Sequence, residues 1–84
     1  MASETTYIVQ PFQLSKKGRL ERGQAEKAKD EQAALRKAER MMQTKVGVIV
    51  LREEVDAAAD MYGTPIVVAQ FGRIPEGLVE ALTA

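Results

Sequence analysis

A run of six residues, Val46 to Leu51 (V-G-V-I-V-L), constrains the fold of this chain more than any other stretch. It is the longest unbroken apolar run. Apart from Gly47, every residue in it is β-branched or aliphatic, the kind of side chain that fits a pleated surface. Successive side chains of a strand point to opposite faces, so Val46, Val48 and Val50 line one face and Ile49 and Leu51 the other. A half-buried strand alternates apolar with polar residues. This one is apolar on both faces, and both require cover.

The segment upstream can cover one of them. Gln24 to Thr44 contains no Gly or Pro and is rich in Ala, Glu, Lys, Gln, Arg and Met, a composition that predicts a long helix. Ala28, Leu35 and Met42 recur at seven-residue spacing, with Ala34, Ala38 and Met41 beside them, and form an apolar stripe that strengthens toward the C-terminal half. Arg36, Lys37, Arg40 and Lys45 gather at the end where the helix dipole favours cations. Gly23 is the expected N-cap, and the N-terminal half, almost all Ala and charge, is expected to project beyond the sheet or fray.

Ahead of this helix, residues 1–5 are small and polar and are expected to be disordered. A first strand follows, with Ile8, Phe12 and Leu14 on one face and Tyr7 and Val9 on the other. Pro11 cannot donate a ladder hydrogen bond, so this strand belongs at a sheet edge or carries a bulge. The loop Ser15–Gly23 is basic, with a turn predicted at Lys17-Gly18. Beyond the central run, Pro65–Phe71 predicts a third strand, again apolar on both faces and ended by Gly72. Asp56 is placed to cap a helical turn over Ala57–Ala59, and Ile74-Pro75-Glu76 opens a short terminal helix through Leu78, Val79 and Leu82. The expected fold is α+β: a single domain over residues 1–84, elements in the order β-α-β-β-α, and a three-stranded sheet with one long helix packed on one face. Two strand orders fit: the second strand in the middle, parallel to the first, or the third strand in the middle, antiparallel to both.

A chain of 84 residues buries only about 60–65% of the surface its unfolded form exposes, which leaves a lone monomer marginal. It has no Cys and no His, so disulfides, thiolate zinc sites and the commonest general base are all absent. No metal and no cofactor is expected. Association remains as the means of adding stability. The spare apolar face either joins two copies across a two-fold axis or is closed by the C-terminal helix. Two helical turns cover little, which favours a homodimer, with Val48, Val50, Ile66, Val68 and Leu78 as its interface.

The charges balance, 12 Lys+Arg against 12 Asp+Glu, which argues against a chain-wide field that would concentrate the protein on nucleic acid or an anionic membrane. A local patch remains, with Lys16, Lys17, Arg19 and Arg22 able to contact phosphates, set against interleaved acids and few aromatics. Glu53, Glu54, Asp56 and Asp60 are padded by alanines and read as a polar connection rather than a calcium loop. Ser15, Tyr7 and Tyr62 have no identifiable base beside them, and the six glycines form no phosphate-binding fingerprint, so an enzyme is not expected. Met41-Met42 reads as adaptable core filler. No apolar run approaches the roughly 20 residues of a membrane span, and the N-terminus lacks the basic start and apolar stretch of a signal peptide, so the expected location is cytoplasmic.

The opening T-T-Y-I-V-Q-P-F, the G-R-L after the first strand, the G-V-I-V strand and the closing Y-G-T-P-I-V-V-A-Q-F-G-R-I-P together resemble small uncharacterised proteobacterial proteins of about this length. The resemblance spans most of the chain, but its motifs are strands, turn glycines and prolines. It implies a bacterial, cytoplasmic origin and assigns no functional residues. The expected function is therefore a non-enzymatic homodimeric interaction module, with a nucleic-acid-binding module using residues 16–22 as the alternative.

Overall fold

A computed structural model describes residues 3–56, 61–62 and 65–83. Strand β1 covers Ser3–Leu14, β2 Leu20–Arg22, β3 Glu26–Ala28, β4 Gly47–Asp56, β5 Met61–Tyr62 and β6 Ile66–Gly72; helix α1 covers Glu31–Met41 and α2 Leu78–Thr83. The expected three-stranded sheet with one long helix does not form. Among the described residues the chain is mostly sheet, antiparallel at every pairing, with two short helices. β1 and β4 lie side by side at the centre, β2 and β3 share the outer edge of β1, and β5 and β6 share the outer edge of β4. Of the two expected strand orders, the one with the third strand in the middle does not occur, and the one with the second strand in the middle occurs with its direction reversed. The Val46–Leu51 run is central, but β4 is antiparallel to β1, because β1 first turns back through β2 and β3 before the chain crosses to β4 by way of α1.

The long helix fails at its N-terminal half. Glu26–Ala28 pairs with Val9–Tyr7 as an edge strand, and the helix begins only after Asp30, whose carboxylate accepts the Ala33 N–H at 2.7 Å. Intrinsic helix propensity amounts to a few tenths of a kcal/mol per residue. The backbone groups along the free edge of β1 gain a full partner from β3, and that pairing prevails. Gly23, expected as the cap, instead donates its N–H to the Pro11 carbonyl at 2.9 Å between β2 and β3.

Pro11 is not on an edge strand. β1 is paired on both sides and carries no bulge itself; the extra residue lies on the partner edge, so neither expected placement of Pro11 holds as stated. The register shifts by one residue between the Phe12↔Arg22 and Val9↔Glu26 pairs, while the ladder to β4 runs from Ser3↔Asp56 to Phe12↔Gly47 without a shift. In an extended strand the N–H and C=O of one residue point to the same side. The Pro11 carbonyl faces Gly23, so the missing N–H faces the bulge and costs the β1–β4 ladder nothing. β1 also begins earlier than expected: Ser3, Glu4 and Thr5 are paired with Asp56, Val55 and Glu54.

The two apolar faces of the central run are both used, as the alternation predicts. Val48 and Val50 join Val9, Ala28, Ala34 and Ala38 in one buried cluster under α1, with Met41 and Met42 packed beside it. Ile49 and Leu51 join Phe12 in a second cluster on the opposite face, against which Leu20, Val67, Ile74, Leu78 and Val79 pack. The C-terminal helix therefore covers part of the second face. Small residues at positions 34 and 38 let α1 sit close to the sheet. Eleven residues make a helix only about 16 Å long, however, while the twelve residues of β1 run to about 40 Å, so α1 covers only part of the sheet's length. The helical turn expected over Ala57–Ala59 lies outside the described residues, and Asp56 ends β4.

Two glycines close the sheet where β4 meets β6. Gly47 and Gly72 are paired, the Arg73 N–H returns to the Val46 carbonyl at 2.9 Å, and Gly72 takes a φ of +67°. A Cβ on Gly47 would overlap the Arg73 carbonyl, and one on Gly72 would overlap the Val46 carbonyl. Because the obstruction is backbone, no side-chain rotation relieves it. Gly47→Ala is expected to lower stability by about 2 kcal/mol or more, read as a shift in the urea midpoint at constant slope. Gly18→Ala, with open space around its Cβ, should cost only the strain of its positive φ, about 1 kcal/mol.

Candidate functional site

The two outer edges of the sheet are built differently. On the β1 side, the edge is split into two three-residue strands separated by the bulge, and it carries Glu21, Arg22, Glu26 and Lys27. Short strands, charges and bulges are the usual devices that prevent a sheet edge from pairing further. On the β4 side, β6 runs for seven residues, Ile-Val-Val-Ala-Gln-Phe-Gly, without a charge or a proline. Among the described residues it pairs with β4 alone. Ile66, at its start, is 49% exposed and is one of two large exposed apolar residues among those described.

Side-chain alternation along β6 is set by a register shift opposite Val50 and Leu51. Ala69 pairs with Val50 and Val67 with Leu51, so Val68 is the extra residue. As a result Val68 and Ala69 both pack toward the α1 cluster, with Phe71, while Val67 packs on the second face. Gln70 lies opposite Ile49, whose backbone polar groups are directed at β1, so the Gln70 N–H and C=O point outward from the sheet.

These positions sort the residues expected at an interface. Val48 and Val50 have no exposed surface and are core residues beneath α1, so they have no surface to offer a partner. Ile66 is exposed, while Val68 and Leu78 are partly buried on opposite faces of the sheet. The structure therefore gathers Ile66 and Val68 on the β6 edge and leaves Leu78 on α2. Gln70 was missed because its polarity hid the role of its backbone. The available signal was the lack of any charge between Pro65 and Gly72 in a chain that is 29% charged.

On the second face, Ile8, Phe12, Ile49, Leu51 and Leu78 line an open hollow with Gln10 and Arg22 at its polar side. Its volume of about 70 Å³ is well under the roughly 300 Å³ at which ligand pockets begin, and Gln10 is already engaged. The Gln10 amide donates from Nε2 to the Gly23 carbonyl and to the Pro11 carbonyl, each at 2.9 Å. In a regular ladder the Gly23 carbonyl would accept the N–H of residue 11, which proline lacks. The side chain of the preceding residue supplies the donor instead.

Lys16, Lys17 and Arg19 stand at the tip of the β1–β2 hairpin, and the predicted Lys17-Gly18 turn is present, with Gly18 at a φ of +81°. Arg22 lies further down, opposite Phe12. The Ser15 hydroxyl oxygen accepts the N–H groups of Lys17 and Arg19 at 3.2 and 3.1 Å, so the hydroxyl serves the turn. Glu53, Glu54 and Asp56 lie along β4, and no group of three or more metal-ligating side chains assembles among the described residues. Asp60 lies outside them, as does the side chain of Tyr62. Tyr7 packs beside the α1 cluster. No described helix is long and apolar enough to cross a membrane. A comparison with protein-family models, with characterised proteins and with solved structures finds no match to this chain.

The Gln10 bond can be tested. Gln10→Leu keeps most of the volume but leaves the Gly23 carbonyl without that donor, and is expected to cost about 1–2 kcal/mol in chemical denaturation. Adding Pro11→Val restores a backbone N–H at the bulge and should recover part of that loss. A strictly additive double variant would show that the side chain does not stand in for the missing donor.

Proposed function

We propose that this chain is a non-enzymatic, cytoplasmic interaction module that works as a homodimer, with two copies joined along β6 in one continuous antiparallel sheet. The observation that carries this reading is the contrast between the two edges: one broken and charged, the other seven residues long, uncharged and, among the described residues, paired only with β4. Pairing of one edge with its own copy about a two-fold axis is self-complementary, because each residue meets its symmetry mate's counterpart. An axis near Ala69 would set Ile66 against Gly72 of the second copy. It would extend the apolar surface of Ile66, Val68 and Phe71 across the seam. A chain of this size gains what it most lacks, additional buried area, without any change to its own core.

Light scattering coupled to size exclusion is expected to give twice the 9.2 kDa of one chain, and the same value at low and high salt, since backbone hydrogen bonds and apolar burial are little screened. Gln70→Pro removes an outward N–H from the edge, and Ile66→Lys places a charge where natural edges carry one. Each should shift the mass to that of one chain while leaving the far-ultraviolet circular dichroism unchanged. A monomeric wild-type chain at all concentrations, or a dimer indifferent to both substitutions, would refute pairing through β6.

A further inference from the structure

We propose that the tip of the β1–β2 hairpin is a binding site for the phosphate backbone of duplex DNA. The ladder to β4 ends at Phe12↔Gly47, yet β1 and β2 continue beyond it as a two-stranded ribbon closed by Ser15–Arg19. Lys16, Lys17 and Arg19 are exposed there, and the two ion pairs of the described residues, Lys37–Glu26 and Arg52–Glu54, leave all three uncompensated. The turn that presents them is held closed: Ser15 bonds both ways with Arg19 through backbone and hydroxyl, and Gly18 donates to the Ser15 carbonyl at 2.9 Å. Little conformational entropy remains to be lost when the cations meet a ligand.

Zero net charge is a sum over the whole chain: Lys16, Lys17 and Arg19 stand at the tip, with Glu21, opposite Gln13, the one acid among residues 12–22 of the ribbon. Glu4, Glu53 and Glu54 lie at the far end of the β1–β4 ladder, and the protein is 46 Å long. Across a separation of about 40 Å, several times the roughly 8 Å Debye length at physiological salt, those carboxylates are screened from anything bound at the tip. The ligand class follows from what the tip holds and lacks. Cations without an exposed aromatic side chain fit a phosphate backbone and offer no platform for stacking unpaired bases. A two-stranded ribbon is also of a width that the major groove of B-form DNA admits.

The test is fluorescence anisotropy with the full chain and a labelled duplex of about 12 base pairs, short enough to meet one tip at a time. Three phosphate contacts predict a slope of log affinity against log salt near −2.7, a weakening of about 40-fold between 50 and 200 mM. Lys16→Ala/Lys17→Ala/Arg19→Ala keeps Ser15 and Gly18, lies outside both apolar clusters, and should abolish binding with an unchanged urea midpoint. Lys27→Ala/Lys29→Ala, which removes exposed cations from β3 and the residue just after it, should bind like the wild type. The proposal is overturned by any of four results: no duplex binding at 50 mM salt, equal loss in both variants, tighter binding of single-stranded DNA of the same length, or binding to phosphatidylserine vesicles without binding to the duplex.

Discussion

Ten consecutive pairs between β1 and β4, from Ser3↔Asp56 to Phe12↔Gly47, form the ladder on which every other element depends. The two clusters of the core lie on its two faces, and both outer edges are attached to its two strands. A proline in the middle of such a strand should interrupt it, since it removes one donor and cannot be rotated to supply another. Here the interruption falls on the outer seam, where an extra residue on the β2–β3 side and the Gln10 amide absorb it. The same device gives the edge its character. A bulge that accommodates Pro11 also divides that edge into pieces too short to pair with another chain, so a local hydrogen-bonding problem becomes protection against association on one side only.

The asymmetry between the edges has a second source in the helices. α1 packs on one face and α2 on the other, and both lie over the faces of the sheet, so they bury side chains without pairing with strand backbone. The C-terminal helix is short, and it covers the second face with Leu78 and Val79 over Phe12, Ile49 and Leu51. Covering a face removes the need for a partner there. It does nothing for the outward polar groups of β6, which only water or another strand can satisfy.

Much of the sheet was legible in the residues, and the helix was not. The two-faced burial of Val46–Leu51 followed from its lack of alternation, because period-two geometry leaves no other outcome for an apolar strand. The sorting of Tyr7 and Val9 from Ile8 and Phe12 followed in the same way. The error lay in reading Gln24–Thr44 as one helix. Composition reports what an isolated segment prefers, whereas Glu26–Ala28 responds to an unpaired strand edge that is distant in sequence. One local signal did mark the true start: Asp30, an N-cap residue placed seven positions inside the expected helix. Of the candidate sites, the hairpin tip was visible as a basic stretch around a glycine. The β6 edge was not, because a strand becomes an edge only through the pairing of other strands.

Net charge alone does not describe the field at any one part of the surface. A balance of 12 against 12 is a sum over the whole chain, and it describes the field only when the charges are mixed on the scale of the screening length. A long two-stranded ladder separates its ends by several such lengths. Residues near in sequence to the hairpin turn then share one end, while Glu4 and the acidic segment of β4 share the other. Extended antiparallel architecture therefore keeps the cations of the turn apart from Glu4, Glu53 and Glu54, with Glu21 the acid that remains beside the turn. It also places the basic tip on the β1–β2 side of the sheet, away from β6, so a dimer formed along β6 leaves both tips free.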